Sequence, residues 1–123
     1  MEFDLLSNKI IGCAIEVHKI LGPGLLESAY EECLCYEFDQ NGIFYERQKP
    51  APVIYKEIKL ECGYRLDILV ENQVVVELKS IDAICPVHEA QLLTHMKFTE
   101  KKIGLLINFN VLRLKDGLKR FVR

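Results

Sequence analysis

Two strand-like runs, Tyr64 to Val70 and Val74 to Ser80, flank the polar triplet Glu71-Asn72-Gln73, and this arrangement restricts the chain more than any other feature. Apolar, β-branched segments joined by a short polar loop read as a β-hairpin. A three-residue loop centred on Asn72 sets the register. Val70 then faces Val74, Ile68 faces Val76, and Asp67 lies directly opposite Glu77. Opposed side chains have Cβ atoms about 4.5–5.5 Å apart, where like charges destabilise unless something positive lies between them. Side chains alternate along a strand, so Lys79 points the same way as Glu77, while Leu66, Ile68, Val70, Val76 and Leu78 form the opposite, apolar face. The hairpin is expected to have one dry side and one charged side.

A divalent cation between Asp67 and Glu77 would remove their conflict. Carboxylates suit a hard ion such as Mg²⁺, which keeps several waters and takes further ligands from a substrate phosphate. The Lys79 ammonium can then orient the attacking water or neutralise charge developing on the phosphate. The same residues also suit a solvated hairpin in which Lys79 simply pairs with Glu77 or Asp67.

Elsewhere the pattern divides into short elements without repeats or linkers. Leu5, Leu6, Ile10, Cys13, Ala14, Val17 and Leu21 recur at helical spacing, ended by Gly22-Pro23-Gly24. A second helix is expected from about Leu26 to Gln40, stopping at Asn41-Gly42. Ile43 to Gln48 and Val53 to Leu60 lean towards strands, with a turn at Lys56-Glu57. Pro86 suits the first turn of a third helix, Val87 to Phe98. Ile103 to Asn108 reads as an apolar strand and Val111 to Leu114 as another, with Gly117 separating a short tail. At 123 residues, half of them hydrophobic, the chain is expected to fold as one domain, residues 1–123, around one core.

The net charge of −2 hides an uneven distribution. From Met1 to Glu46 nine acids face two lysines, whereas from Met96 onward eight basic residues face two acids. Such runs suit ordinary solvated faces, or equally a basic C-terminal surface that follows a phosphate backbone. The candidates for the latter are Lys97, Lys101, Lys102, Arg113, Lys119 and Arg120. No apolar run approaches the roughly 20 residues needed to span a bilayer, and the first residues lack a signal-peptide pattern. The five cysteines form no C-x-x-C pair and suit buried thiols in a reducing cytosol. A cytoplasmic protein without membrane contact is the expectation.

Gly24-Leu25-Leu26-Glu27-Ser28-Ala29-Tyr30 has the form G-x-x-E-x-x-Y, and the chain resembles the bacterial GxxExxY family of the PD-(D/E)XK nuclease superfamily. The likeness extends to E-V-H-K-I-L-G-P-G at Glu16 to Gly24, F-Y-E-R-Q-K-P at Phe44 to Pro50, V-E-L-K-S at Val76 to Ser80 and V-H-E-A-Q-L-L at Val87 to Leu93. It implies an α/β restriction-endonuclease-like core, αβββαβ, with a central mixed sheet flanked by helices. Asp67 and Glu77-Leu78-Lys79 then match the D…(D/E)-x-K signature, although Leu66 replaces the usual Pro. By likeness to RecB-type members, Glu27 approaches the metal, with Tyr30 one turn further along as a support residue. Gln91-Leu92-Leu93-Thr94-His95 matches their Q-x-x-x-Y with His in place of Tyr. Gln91 would orient substrate or water, and His95 would support it. Cys85 and His88 lack a third orienting group and are not read as a nucleophilic pair, and His18 reads as packing or surface.

The function implied is hydrolysis of phosphodiester bonds in nucleic acid, DNA being the expected substrate. The reaction would depend on Mg²⁺ or Mn²⁺ held by Asp67, Glu77 and Glu27. The alternative is an inactive module of the same fold that binds nucleic acid or protein in a repair or defence complex. A homodimer through Ile103–Asn108 or the first helix, or a larger protein partner, is also expected.

Overall fold

In the computed structural model, which describes residues 4–61 and 63–123, the chain folds as α1 (Leu5–Leu21), α2 (Glu27–Gln40), β1 (Tyr45–Pro50), β2 (Val53–Tyr55), β3 (Ile58–Leu60), β4 (Arg65–Val70), β5 (Val74–Lys79), α3 (Pro86–Phe98), β6 (Ile103–Asn108) and β7 (Leu118–Val122). Among the described residues, five strands form a central sheet in the order β1-β4-β5-β6-β7, and β2 and β3 form a separate ribbon. Neighbours run antiparallel except β5 and β6, which are parallel and joined by α3. This is a mixed α/β sheet of the PD-(D/E)XK type, with α2, β1, β4, β5, α3 and β6 as the expected αβββαβ series.

The helices cover both faces of the sheet. On one side Ile10, Cys13, Ala14 and Val17 of α1 and Tyr30, Leu34 and Phe38 of α2 pack on Ile68, Val70, Val74, Val76 and Leu78. On the other, Leu92 and Met96 of α3 pack on Leu69, Val75 and Leu106. Strands buried on both faces read as continuous apolar runs, as Val74-Val75-Val76 does, and each such side chain contributes roughly 1.5–3 kcal/mol. A Cβ on Gly104 would lie 2.5 Å from Met96 Sδ, so this glycine is what lets α3 approach β6.

Local chemistry sets the boundaries. Asp4 caps α1 by accepting the Ser7 amide at 2.9 Å, and Gly22, at φ 67°, ends it with its N–H on the His18 carbonyl at 2.8 Å. Glu71 and Asn72 take left-handed φ values of 52° and 55°, and the Gln73 amide donates to the Val70 carbonyl at 2.9 Å. The pairing is therefore Val70 with Val74 and Ile68 with Val76, as the loop length implies.

Five expectations need correction. The charged side of the hairpin is not open along its length, because α3 covers Leu69 and Val75 on that face. Leu66 packs with the α3 cluster rather than with Ile68. The regular ladders stop beside it: Gln48, which would face Asp67, has φ 50° and drops out of the β1–β4 pairing. Residues 111–114 are not a strand, since the Asn108 side chain binds Ile81 and Asn110 and turns the chain into a 3₁₀ turn, Leu114–Gly117. A Cβ on Gly117 would lie 2.1 Å from the Asn108 carbonyl oxygen, and the tail after this close approach forms β7. Strand β6 lies between β5 and β7 and is almost wholly buried, so it offers no free edge for a dimer. Of the cysteines, Cys13 and Cys35 are buried as expected but Cys85 is exposed; Cys62 lies outside the described residues. No helix among the described residues is long and apolar enough to cross a membrane.

Candidate active site

The α3-facing side of the sheet changes character partway along its strands. Beyond Val75 on β5 come Glu77 and Lys79, and before Leu69 on β4 come Asp67 and Arg65. Helix α3 shows the same change around its circumference, from the face of Met96 and Leu92 to the adjoining face of His95 and Gln91. A cleft of about 240 Å³ opens where the apolar packing stops, lined by Glu27, Tyr64, Arg65, Asp67, Glu77, Lys79, Gln91 and His95.

Asp67 sits where the β4–β5 ladder ends. Its Oδ2 accepts the Leu78 amide at 2.8 Å, doing for that N–H what a strand carbonyl would otherwise do. Burial, together with the nearby carboxylates of Glu77, Glu31 and Glu27, pushes the Asp67 carboxyl up to about 6 despite that hydrogen bond. Glu77 is only 4% exposed, and its Oε1 is hydrogen-bonded to His95 Nδ1. That contact raises the His95 pKa above its ordinary value, against the opposing effect of burial. The histidine that replaces the expected tyrosine therefore holds one of the signature carboxylates directly.

Glu27 comes from the other helical layer. The Ser80 hydroxyl donates to the Leu25 carbonyl at 2.5 Å, tying the residue after Lys79 to the loop just before Glu27. Tyr30 is fully buried and does not line the cleft. Its hydroxyl donates to the Gly22 carbonyl at 2.6 Å and accepts the Leu25 amide at 3.2 Å, and its ring stacks on Phe109 at 4.4 Å. It thus fixes the loop that carries Glu27.

Asp67 Oδ1 and Glu77 Oε2 take no protein donor among the described residues, so each carboxylate keeps an oxygen for a ligand. No three His, Cys, Asp or Glu side chains among those residues converge closely enough to hold an ion alone. The donor set fits a hard cation bound by two carboxylates and completed by water and substrate oxygens, the usual way Mg²⁺ is held. The raised carboxyl of Asp67, crowded by other acids, marks where a positive charge would be welcome.

The six basic residues named from the charge pattern do not line this cleft. Arg120 donates to Asp4 Oδ1 at 2.7 Å, Lys119 to Glu89 at 2.6 Å and Lys101 to Asn72 at 3.1 Å; Lys97 lies over the Phe98 ring. Lys102 and Arg113 are exposed. Lys101 and Lys102 precede Ile103, which pairs with Val74 at the opposite end of β5 from Lys79. Arg65 and Tyr64 are the lining residues that motif reading passed over. The signal for Arg65 was present, since it lies two residues before Asp67 on the same strand.

Two other histidines prove structural. His88 Nδ1 accepts the Cys85 amide at 2.8 Å, capping α3, and His18 Nε2 meets the Val111 carbonyl at 2.7 Å.

Neither a curated protein nor a solved structure matches the chain significantly. The family profile of the PD-(D/E)XK nuclease superfamily does match, over residues 4–121. That span takes in the sheet, the three helices and every residue of the cleft, and the superfamily is in general one of nucleases that use divalent metals and bind nucleic acid. With the D…E-x-K residues gathered at the end of β4 and β5, the chain belongs to the PD-(D/E)XK nuclease superfamily.

Proposed function

We propose that the protein is a Mg²⁺- or Mn²⁺-dependent nuclease that hydrolyses phosphodiester bonds in nucleic acid, with DNA as its substrate. The observation that carries this is the meeting of Asp67, Glu77 and Lys79 in one cleft, with Glu27 delivered from a separate helix. Asp67 and Glu77 would hold the cation directly, and Glu27 would assist them through water. When bound, the cation supplies positive charge to the phosphate and favours deprotonation of the attacking water.

The remaining work falls to side chains of the chain itself. Lys79 brings a positive group into the cleft, where it orients the water and offsets charge developing on the phosphate. Gln91 offers an amide to substrate or water. His95 keeps Glu77 oriented through its Nδ1 contact. Arg65 adds a cation at the cleft wall, anchored through its own donation to the Gln48 carbonyl at 3.0 Å.

Isothermal titration of Mn²⁺ into the wild type and Asp67→Ala, followed by incubation of both with single- and double-stranded DNA, tests the reading. Metal uptake and cleavage in the wild type, both lost in Asp67→Ala, are the expected results. A wild type that takes up no metal even with DNA present would overturn it.

A further inference from the structure

A second cavity of about 480 Å³ adjoins the cleft, and its walls are of the opposite kind. Val53 and Leu60 of the β2–β3 ribbon face Ala90 and Phe98 of α3 across it. Three residues line both spaces: Tyr64, Gln91 and His95. Any ligand in the charged cleft therefore lies beside an apolar chamber, with these three side chains at the border between them.

A nucleotide has this division of chemistry. Its phosphate is anionic and hard, its base is flat and apolar on both faces, and the two are a few bonds apart. Tyr64 is 53% exposed, so its ring is available for stacking. Gln91 and Thr94 add an amide and a hydroxyl that can meet the polar edge of a base, and neither the Gln91 amide nor the Tyr64 hydroxyl has a protein partner among the described residues. Base edges are free in this way only when the base has left its duplex partner.

Resting on the nuclease reading above, we infer that this chamber binds one unpaired nucleobase next to the phosphate in the cleft, making single-stranded or locally opened nucleic acid the preferred substrate. Tyr64 is the stacking residue and Gln91 the group shared between base and phosphate. The proposal needs no movement of the sheet, because both cavities are present together.

The test uses Lys79→Ala protein, so that the strand is bound without being cut, and a short labelled single-stranded oligonucleotide. Fluorescence anisotropy should show Tyr64→Ala weakening binding roughly 10- to 100-fold, the range expected for loss of one stacked base. Tyr64→Phe should restore it. Ala90→Trp, which fills the chamber from an exposed helix position, should weaken binding similarly without depending on Tyr64. An oligonucleotide lacking one base at the bound position should bind less well to the parent and no worse to Tyr64→Ala. If wild type cleaves DNA while Tyr64→Ala and Ala90→Trp bind like the parent, the base chamber is refuted and the nuclease reading stands. If wild type neither binds nor cuts nucleic acid, the nuclease reading fails and takes this inference with it.

Discussion

Two adjoining faces of α3 lie over the same sheet and do opposite work. On one face Leu92 and Met96 close on Leu69, Val75 and Leu106, all fully buried, with Gly104 allowing close approach. On the other, displaced by one residue on the same turns, Gln91 and His95 border the cleft with Glu77, Asp67 and Lys79, where a buried carboxylate is held by an imidazole and another is pushed up to about 6. The pleat and helix pitch are continuous, so the difference comes from side chains alone. Apolar packing on one face fixes the geometry that charges on the other would not hold by themselves.

The largest separation between the apolar and the charged region should appear on replacing one residue from each. Lys79→Ala should cut the cleavage rate by about 10³-fold or more, the range for losing a charge aimed at the transition state, while melting temperature and DNA affinity change little. Leu92→Ala should do the reverse. It deletes a fully buried side chain, costing about 2–5 kcal/mol of stability, yet folded protein should retain its rate per active molecule. Denaturant unfolding and single-turnover cleavage on the same preparations check both. A rate loss in Leu92→Ala that persists in fully folded protein would show that the two regions are mechanically coupled.

A smaller effect should follow from relieving the crowded carboxylates. Unfolded Asp67 titrates near 3.8 and folded Asp67 near 6, so the protein carries a cost of burying that charge at pH above 6 and escapes it below about 4. Asn in its place can still accept the Leu78 amide without a charge. Asp67→Asn should therefore unfold later than wild type at pH 7–8, by roughly 1–3 kcal/mol, and lose the advantage as pH falls from 6 to 4. Added Mg²⁺ should stabilise only the wild type. Equal stability of the two proteins across that range would mean that the Asp67 carboxylate is not strained by its neighbours.

Much of this was legible in the sequence where local rules operate. The loop Glu71-Asn72-Gln73 fixed the hairpin register from Val70–Val74 to Ile68–Val76, because period-two alternation leaves no freedom once the turn is set; Asp67 and Glu77 lie just past the last registered pair and line one cleft. The E-x-K spacing placed Lys79 beside Glu77 for the same reason. What failed depended on distant partners. Leu66 leaves its expected cluster where Gln48, eighteen residues earlier in the chain, breaks the neighbouring ladder. The stretch after Gly117 read only as a short tail, yet it forms β7, and the partners of Lys119 and Arg120, Glu89 and Asp4, lie in one helix's first turn and at another's cap, which spacing cannot reveal. The basic run likewise looked like one surface in sequence, and the fold distributes it.

That distribution gives the smallest and most discriminating prediction. Ile103 lies beside Val74, three residues along β5 from the cleft residue Glu77, which at about 3.3 Å per residue puts Lys102, one residue further out, roughly 13 Å along the strands from the cleft. Arg65 lines the cleft itself. Each neutralised phosphate contributes about 0.7 to the slope of log affinity against log salt for a single strand. Arg65→Ala should therefore lower that slope by nearly one contact on even a short oligonucleotide, whereas Lys102→Ala should leave it almost unchanged. Lengthening the strand should bring Lys102 into play only if bound nucleic acid runs the full length of the sheet. An equal loss of slope for both variants on the short strand would extend the phosphate path along the sheet beyond the cleft, and the division of labour between the two faces of α3 would not hold for binding.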